Sequence, residues 1–180
     1  HKPYGFNPEK ARELLAGAGY PDGFEVELWQ GGSSELMMIT ETIQAQLLEV
    51  GIHVNIVSND WNMYSQAVRQ GKPDMYYRSW WADYPDPENF LAPLFESEIS
   101  LNRWTRYTNH ELDLLISELQ METDLNRRRL LAVAADSILH HDAPWIYLWH
   151  SETAEIINPQ LKGWSPSLMF NAEKYTGVWK

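Results

Sequence analysis

The sequence predicts an α/β protein: a βαβαβ core with a mostly parallel sheet, followed by extra helices and strands toward the C-terminus. Short apolar or aromatic runs alternate with longer helical patterns through the first half, at lengths that make two crossovers between parallel strands. Asn, Asp or Ser stands before most of the helical patterns, and Gly closes several of them, which is the punctuation of capped helices.

Asn7-Pro8-Glu9-Lys10 starts the first helix with a capping Asn, a first-turn Pro and an acid. Ala11, Leu14 and Leu15 form its apolar face, and Gly17 and Gly19 end it. Phe24 to Trp29 alternates apolar with acidic residues, as a strand with one wet face does. After Gly31-Gly32-Ser33-Ser34, a long helix carries Met37, Ile39, Ile43, Leu47 and Leu48 as far as Gly51. Ile52 to Val57 is the second strand. Asp60 caps a third helix through Tyr64, Ala67 and Val68 that stops near Gly71, and Asp74 to Trp80 is the third strand.

The second half is more helical. A short helix covers Asn89 to Phe95, and Asn109 caps one with Leu112, Leu115, Ile116 and Leu119. Asp124 caps another with Leu130, Leu131, Val133, Ala134, Ile138 and Leu139 facing inward. Pro144 to Trp149 and Ala154 to Ile157 read as neighbouring strands. The tail from Leu161 to Lys180 has no clear periodicity.

Composition narrows the function classes. The chain has 180 residues, 44% of them hydrophobic, with 9 Trp and 9 Tyr, a surplus of rings of the kind that lines ligand pockets. With 14 basic against 25 acidic residues and no basic stripe, nucleic-acid binding is not expected. The absence of Cys excludes disulfides, thiolate metal sites and Cys nucleophiles. No apolar run approaches the roughly 20 residues of a membrane-spanning helix. The chain opens at His1-Lys2-Pro3-Tyr4 with no initiator Met or signal peptide, so it is read as a piece of a longer protein.

Catalytic and metal motifs are weak. His140-His141-Asp142 sits at a helix end, where imidazoles complement the dipole. Adjacent helical residues point about 100° apart, so the pair is poorly placed to hold one ion. Gly31-Gly32-Ser33-Ser34 lacks both nucleotide-binding fingerprints and fits a Ser-capped helix start. Pro85 between Asp83 and Asp86 suits a rigid turn better than a paired acid and base.

The segment from Ser79 to Leu91 carries the most information. It runs Ser-Trp-Trp-Ala-Asp-Tyr-Pro-Asp-Pro-Glu-Asn-Phe-Leu and leaves the third strand, at the carboxyl edge where ligands of such sheets bind. Asp83, set among Trp80, Trp81 and Tyr84, can pair with a ligand ammonium through a charge-assisted hydrogen bond of about 1.5–3 kcal/mol. The rings add cation–π attraction of roughly 0.5–2 kcal/mol. On a strand Trp80 and Trp81 point to opposite faces, so one of the two rings belongs to the core.

These residues resemble the C-terminal lobe of the family 5 extracellular solute-binding proteins of peptide and nickel ABC importers. The likeness rests on five stretches in order, running from Asn7-Pro8-Glu9-Lys10-Ala11 with Ala18-Gly19-Tyr20-Pro21-Asp22-Gly23-Phe24 to Asp142-Ala143-Pro144-Trp145-Ile146. Between them lie Ile43-Gln44 with Gln46-Leu47 and Val50-Gly51-Ile52, then Trp80 with Ala82-Asp83-Tyr84-Pro85-Asp86-Pro87 and Phe90-Leu91, then Tyr107, Asn109, Glu111, Asp113 and Leu115-Ile116. The resemblance implies a type 2 periplasmic-binding-protein lobe, one domain over residues 1–180, closing on ligand with an N-terminal lobe that the chain lacks. It also implies that Asp83 holds a peptide α-ammonium, while Trp80 and Trp61, on the loop before the third helix, line the pocket, which leaves Trp81 and the Pro85–Pro87 turn as scaffold. Some oligopeptide binders meet the ligand carboxylate with an Arg on the third strand. Tyr77 stands at that position here, and Arg78 is one residue on, facing the other side of the sheet.

The reading is therefore a non-catalytic, peptide-binding component of an ABC import system, with Asp83, Trp61, Trp80, Tyr84, Tyr77 and Arg78 as ligand-binding candidates. No cofactor or metal is expected. The implied partners are a peptide or other small molecule, the N-terminal lobe and an ABC permease. The expected location is periplasmic or extracellular, membrane-associated through the transporter without spanning the bilayer. The alternatives are a carbohydrate-active or peptide-cleaving enzyme using Asp83, and a nickel-, haem- or oligosaccharide-binding member of the same family.

Overall fold

The computed structural model describes residues 4–103, 105–150, 152, 154–167, 169 and 175–180. The chain divides into two compact units, His1–Ser79 with Ser100–Arg106, and Trp80–Ile99 with Tyr107–Lys180.

The first unit holds α1 (Pro8–Gly17), β1 (Phe24–Gln30), α2 (Ser34–Leu48), β2 (Ile52–Ser58), α3 (Trp61–Arg69) and β3 (Met75–Tyr76). Its sheet is parallel in the order β2-β1-β3, with Phe24 opposite Ile52 and Leu28 opposite Met75, so α2 and α3 are the crossovers of two βαβ units. The caps form where the sequence places them. Asn7, Ser33 and Asp60 accept backbone N–H groups of Lys10, Leu36 and Asn62 at 2.9, 3.1 and 2.9 Å. A cap is worth about 1 kcal/mol. Full burial of a large apolar side chain contributes about 1.5–3 kcal/mol, so the buried face of Leu28, Val54, Tyr64, Ala67 and Val68 outweighs any single cap.

The third strand is much shorter than the expected Asp74–Trp80. Its partner explains the difference. Register places Tyr77 opposite Gln30, and beyond Gln30 the β1 chain turns at Gly31-Gly32, with Gly32 at φ +75°. Tyr77 donates its N–H to the Trp29 carbonyl at 3.0 Å, and past it the ladder has no template. At the other end the Asp74 carboxylate accepts the Glu27 N–H at 2.9 Å, closing β1 with a side chain in place of a strand residue. Gln30 is fully buried and knots the carboxyl ends of the sheet. Its side chain accepts from Gly32 N–H at 2.7 Å and donates to Ser58 Oγ at 3.1 Å, and its carbonyl accepts from Asn59 N–H at 3.3 Å.

The second unit holds α4 (Glu88–Phe95), and α5 (Ser97–Arg103) is shared between the units, the first taking it from Ser100 on; α6 (His110–Met121) packs against α7 (Leu125–Asp142) in the second unit. Leu112, Ile116 and Leu119 of α6 and Leu131, Ala135 and Leu139 of α7 are buried at helical spacing. Leu130 and Val133, expected inward, are exposed, because the buried face of α7 is the narrower stripe one residue per turn through Leu131. The expected strands at Pro144–Trp149 and Ala154–Ile157 do not form among the described residues, because no neighbouring edge pairs with them. Trp145 packs edge-on against Phe95 at 5.1 Å, while Ile146, Tyr147, Trp149 and Ile156 are exposed. Among the described residues of the tail, an isolated antiparallel bridge joins Lys162 to Trp179.

Candidate functional site

The loop that carries Asp83 is built around Asn89, in the first turn of α4 and 2% exposed. Its amide oxygen accepts the Asp83 backbone N–H at 2.9 Å and the Trp80 indole N–H at 3.3 Å. The two proline-flanked acids then part company. Asp86 accepts the Glu88 N–H at 2.9 Å and the Arg128 guanidinium at 2.7 Å. Arg128 is itself fixed by the Leu119 and Glu122 carbonyls at 2.6 and 2.7 Å. Tyr84 donates its phenol to Glu88, whose other oxygen accepts from Gln120 at 3.0 Å. That hydrogen bond to Glu88 is the main cause raising the Tyr84 phenol above its ordinary range. Asp83 is exposed, and its carboxylate makes no hydrogen bond or ion pair with the described residues.

Trp80 therefore sits in irregular chain, not on a strand, half-buried with its indole N–H directed to Asn89. Trp81, expected as scaffold, is 48% exposed. Strand alternation does not separate the two rings, because the ladder stops before Trp80.

The other candidates belong to the first unit. Trp61 is the first residue of α3 rather than part of the loop before it, and it is 59% exposed. Gly31 leaves room for its ring, since a Cβ there would lie 3.3 Å from the indole Cε3. The Arg78 guanidinium stands 5.8 Å from the Trp61 ring centroid, within cation–π range. Both line a cavity of about 260 Å³ with Asn62, Ser65 and Arg69. Tyr77 accepts the Tyr64 hydroxyl on its backbone carbonyl. Burial and then the Glu35 carboxylate at the start of α2 raise its phenol, whereas Arg78 lies with α3. The two side chains thus lean toward different helices.

Burial raises Tyr64 and Tyr76, the latter to about 12, with the Arg78 charge opposing it in both. Burial lowers Arg78, and the like charge of Arg69 adds to that while the two phenols oppose it. Among the described residues no group of three or more His, Asp or Glu side chains could hold a metal ion. Nor is any described helix long and apolar enough to cross a membrane.

Sequence reasoning missed Asn89, Arg128 and Arg69. A buried Asn in a helix's first turn looks like an ordinary cap-region residue. Arg128 pairs with an acid 42 residues away, and only the fold reveals that.

The model of bacterial extracellular solute-binding proteins, family 5 Middle, matches residues 1–102. Heme-binding protein A of Haemophilus influenzae is 34% identical over 181 residues, covering 97% of this chain and 33% of that protein. The periplasmic binding protein DppA of Helicobacter pylori, solved in complex with peptide STSA, superposes with a TM-score of 0.74 at 32% identity, over 79% of this chain and 28% of that one. HbpA2 of Haemophilus parasuis gives a TM-score of 0.81 at 26% identity, over 99% of this chain and 36% of that one. The chain spans about a third of the length of these relatives. With a match over more than half its residues, in a periplasmic-binding-protein fold, the chain belongs to the family 5 bacterial extracellular solute-binding proteins.

Proposed function

We propose that this chain is the C-terminal lobe of a two-lobed, non-catalytic receptor of an ABC import system, and that its solute is a peptide. Asp83 holds the peptide's α-ammonium. The observation that carries this reading is the uncommitted Asp83 carboxylate: its backbone is pinned by Asn89, its side chain is open to solvent, and the neighbouring acids Asp86 and Glu88 are both engaged. A fixed anion beside Trp80 and Tyr84, without a side-chain partner among the described residues, is a ready counter-charge for a cation. The DppA relative was solved with a bound peptide, which favours that class. Trp61, Tyr77 and Arg78 are proposed as contacts of the first unit, through the rim of its own cavity. The permease partner, the N-terminal lobe and a periplasmic or extracellular location belong to the same proposal.

Calorimetry of the two-lobed protein with a free-amine peptide and its N-acetylated twin tests the anchor. Asp83→Ala is expected to weaken the free-amine peptide by about 1.5–3 kcal/mol, roughly 10- to 100-fold in Kd, and to leave the acetylated one unchanged. Equal affinity of the unaltered protein for both peptides overturns the assignment, and peptide turnover overturns the non-catalytic reading. A second reading, haem, is favoured by the identity to heme-binding protein A. A saturable change in the haem absorption band, with no heat from peptides, would establish it instead.

A further inference from the structure

The Asp83 loop is braced from the C-terminal end of α6 along two separate lines of hydrogen bonds. The first runs through Arg128. One nitrogen of its guanidinium donates to the Leu119 and Glu122 carbonyls at 2.6 and 2.7 Å, and the other to Asp86 at 2.7 Å. The last turn of α6 holds no basic residue of its own. Carbonyls there run out of helical partners and the dipole is negative, so a cation brought from α7 is favoured. Asp86 stands at the opposite kind of helix end. Its second carboxylate oxygen accepts the N–H of Glu88, the first residue of α4, at 2.9 Å, since Pro87 offers no capping side chain. The Asp86 backbone donates to the Tyr84 carbonyl at 2.9 Å and accepts the Asn89 N–H at 3.1 Å. Asn89 in turn holds the Asp83 N–H. Arg128 therefore joins the negative end of one helix to the positive end of another, and the Asp83 loop is built on that joint.

The second line runs through Gln120, the residue after Leu119. Its amide donates to one oxygen of Glu88 at 3.0 Å, and the other oxygen accepts the Tyr84 hydroxyl. Tyr84 directly follows Asp83 in the chain. The α6 end that carries both lines is itself seated in the core by Leu112, Ile116 and Leu119, all fully buried. Both lines reach Asp83 only through other residues, so they act on where its carboxylate points. That direction matters, because a hydrogen bond weakens steeply once donor and acceptor fall out of line.

We infer that Arg128 and Gln120 are positioning residues of the ammonium site, holding the Asp83 carboxylate in the orientation that prefers a charged amine over a neutral amide. The inference rests on the ammonium reading of Asp83 and adds to it the part of the protein that sets its selectivity.

The test is the ratio of Kd for an N-acetylated peptide to Kd for its free-amine twin, measured by calorimetry on the two-lobed protein. Arg128→Met is expected to lower that ratio by about tenfold and Gln120→Ala by about threefold. Gln120 is exposed, so its variant keeps the fold even where Arg128→Met does not. In an Asp83→Ala background neither substitution changes the ratio, because both act through Asp83. A merely structural role weakens the two peptides alike and leaves the ratio where it was. Arg127→Gln is the control: on the same helix as Arg128, it pairs with the side chains of Glu118 and Glu122 and leaves the ratio unchanged. Hydrogen exchange read by mass spectrometry is expected to quicken at residues 81–88 in Gln120→Ala while α7 keeps its rate. A ratio unmoved in both variants, lowered equally by Arg127→Gln, or lowered further on top of Asp83→Ala overturns the positioning role. In those cases the unaltered protein still prefers the free amine, whereas equal affinity of the unaltered protein for both peptides removes the anchor itself.

Discussion

The amide oxygen of Asn89 holds the backbone N–H of Asp83 at 2.9 Å from inside the protein, while the Asp83 carboxylate faces solvent. The same oxygen takes the Trp80 indole. Asn89→Ala removes both bonds and is expected to destabilise the protein by about 1–3 kcal/mol. Asn89→Asp keeps the acceptor and recovers most of that loss. Urea denaturation of the two variants checks the order.

Arg128 is a three-way clasp on Asp86 and the carbonyls of Leu119 and Glu122. Both charged side chains are mostly buried, at 18% and 27% exposed, so removing the cation strands a poorly solvated carboxylate. Arg128→Met is expected to cost about 2–4 kcal/mol. Arg128→Lys recovers little, because a single ammonium cannot match the planar fork. Double-mutant cycles with Asp86→Ala measure how much of the cost belongs to the pair.

Tyr107 donates its hydroxyl to Asp142 at 2.5 Å, and its phenol is pushed up to about 12, first by burial and then by that hydrogen bond. Its unfolded value is about 10. Between those values the unfolded chain releases the proton and the folded one keeps it. The stability contribution is therefore complete below about pH 10 and is lost as pH rises toward 12. Tyr107→Phe is expected to flatten this alkaline decline, as followed by denaturation midpoints between pH 8 and about 11.5.

Gly23 and Gly51 cross where β1 and β2 begin. Gly23 has φ +77°, and a Cβ on it would lie 1.8 Å from the Gly51 carbonyl oxygen. Gly23→Ala thus combines a left-handed backbone with a backbone collision and is expected to cost more than about 2 kcal/mol. Gly51→Ala, also at positive φ but with its nearest contact at 3.4 Å, costs about 1 kcal/mol. Thermal unfolding of the two variants separates strain from collision.

What the sequence revealed and what it hid divide along physical lines. Caps at Asn7, Ser33, Asp60, Asn109 and Asp124 were legible because each bonds within three residues of itself. The parallel core was legible because periodicity and loop length are local properties. The end of β3 was not, because it is set by where β1 turns, some 45 residues upstream. Pro144–Trp149 has a strand's composition, but pairing needs an edge that its own pattern cannot supply. For the site, Asp83 and Trp80 stood out as residue types. The split between an open Asp83 and an engaged Asp86 required Arg128, which no local pattern connects to either.

Gln30 has a mechanical meaning. By binding Gly32, Ser58 and Asn59 at once, it locks the turns after β1 and β2 into one stiff rim. A glycine-rich turn that composition alone would make supple therefore has little freedom left to lose. Under the proposed function, a solute landing on that rim would meet a surface already in shape, with no affinity drained by ordering the loops beneath it.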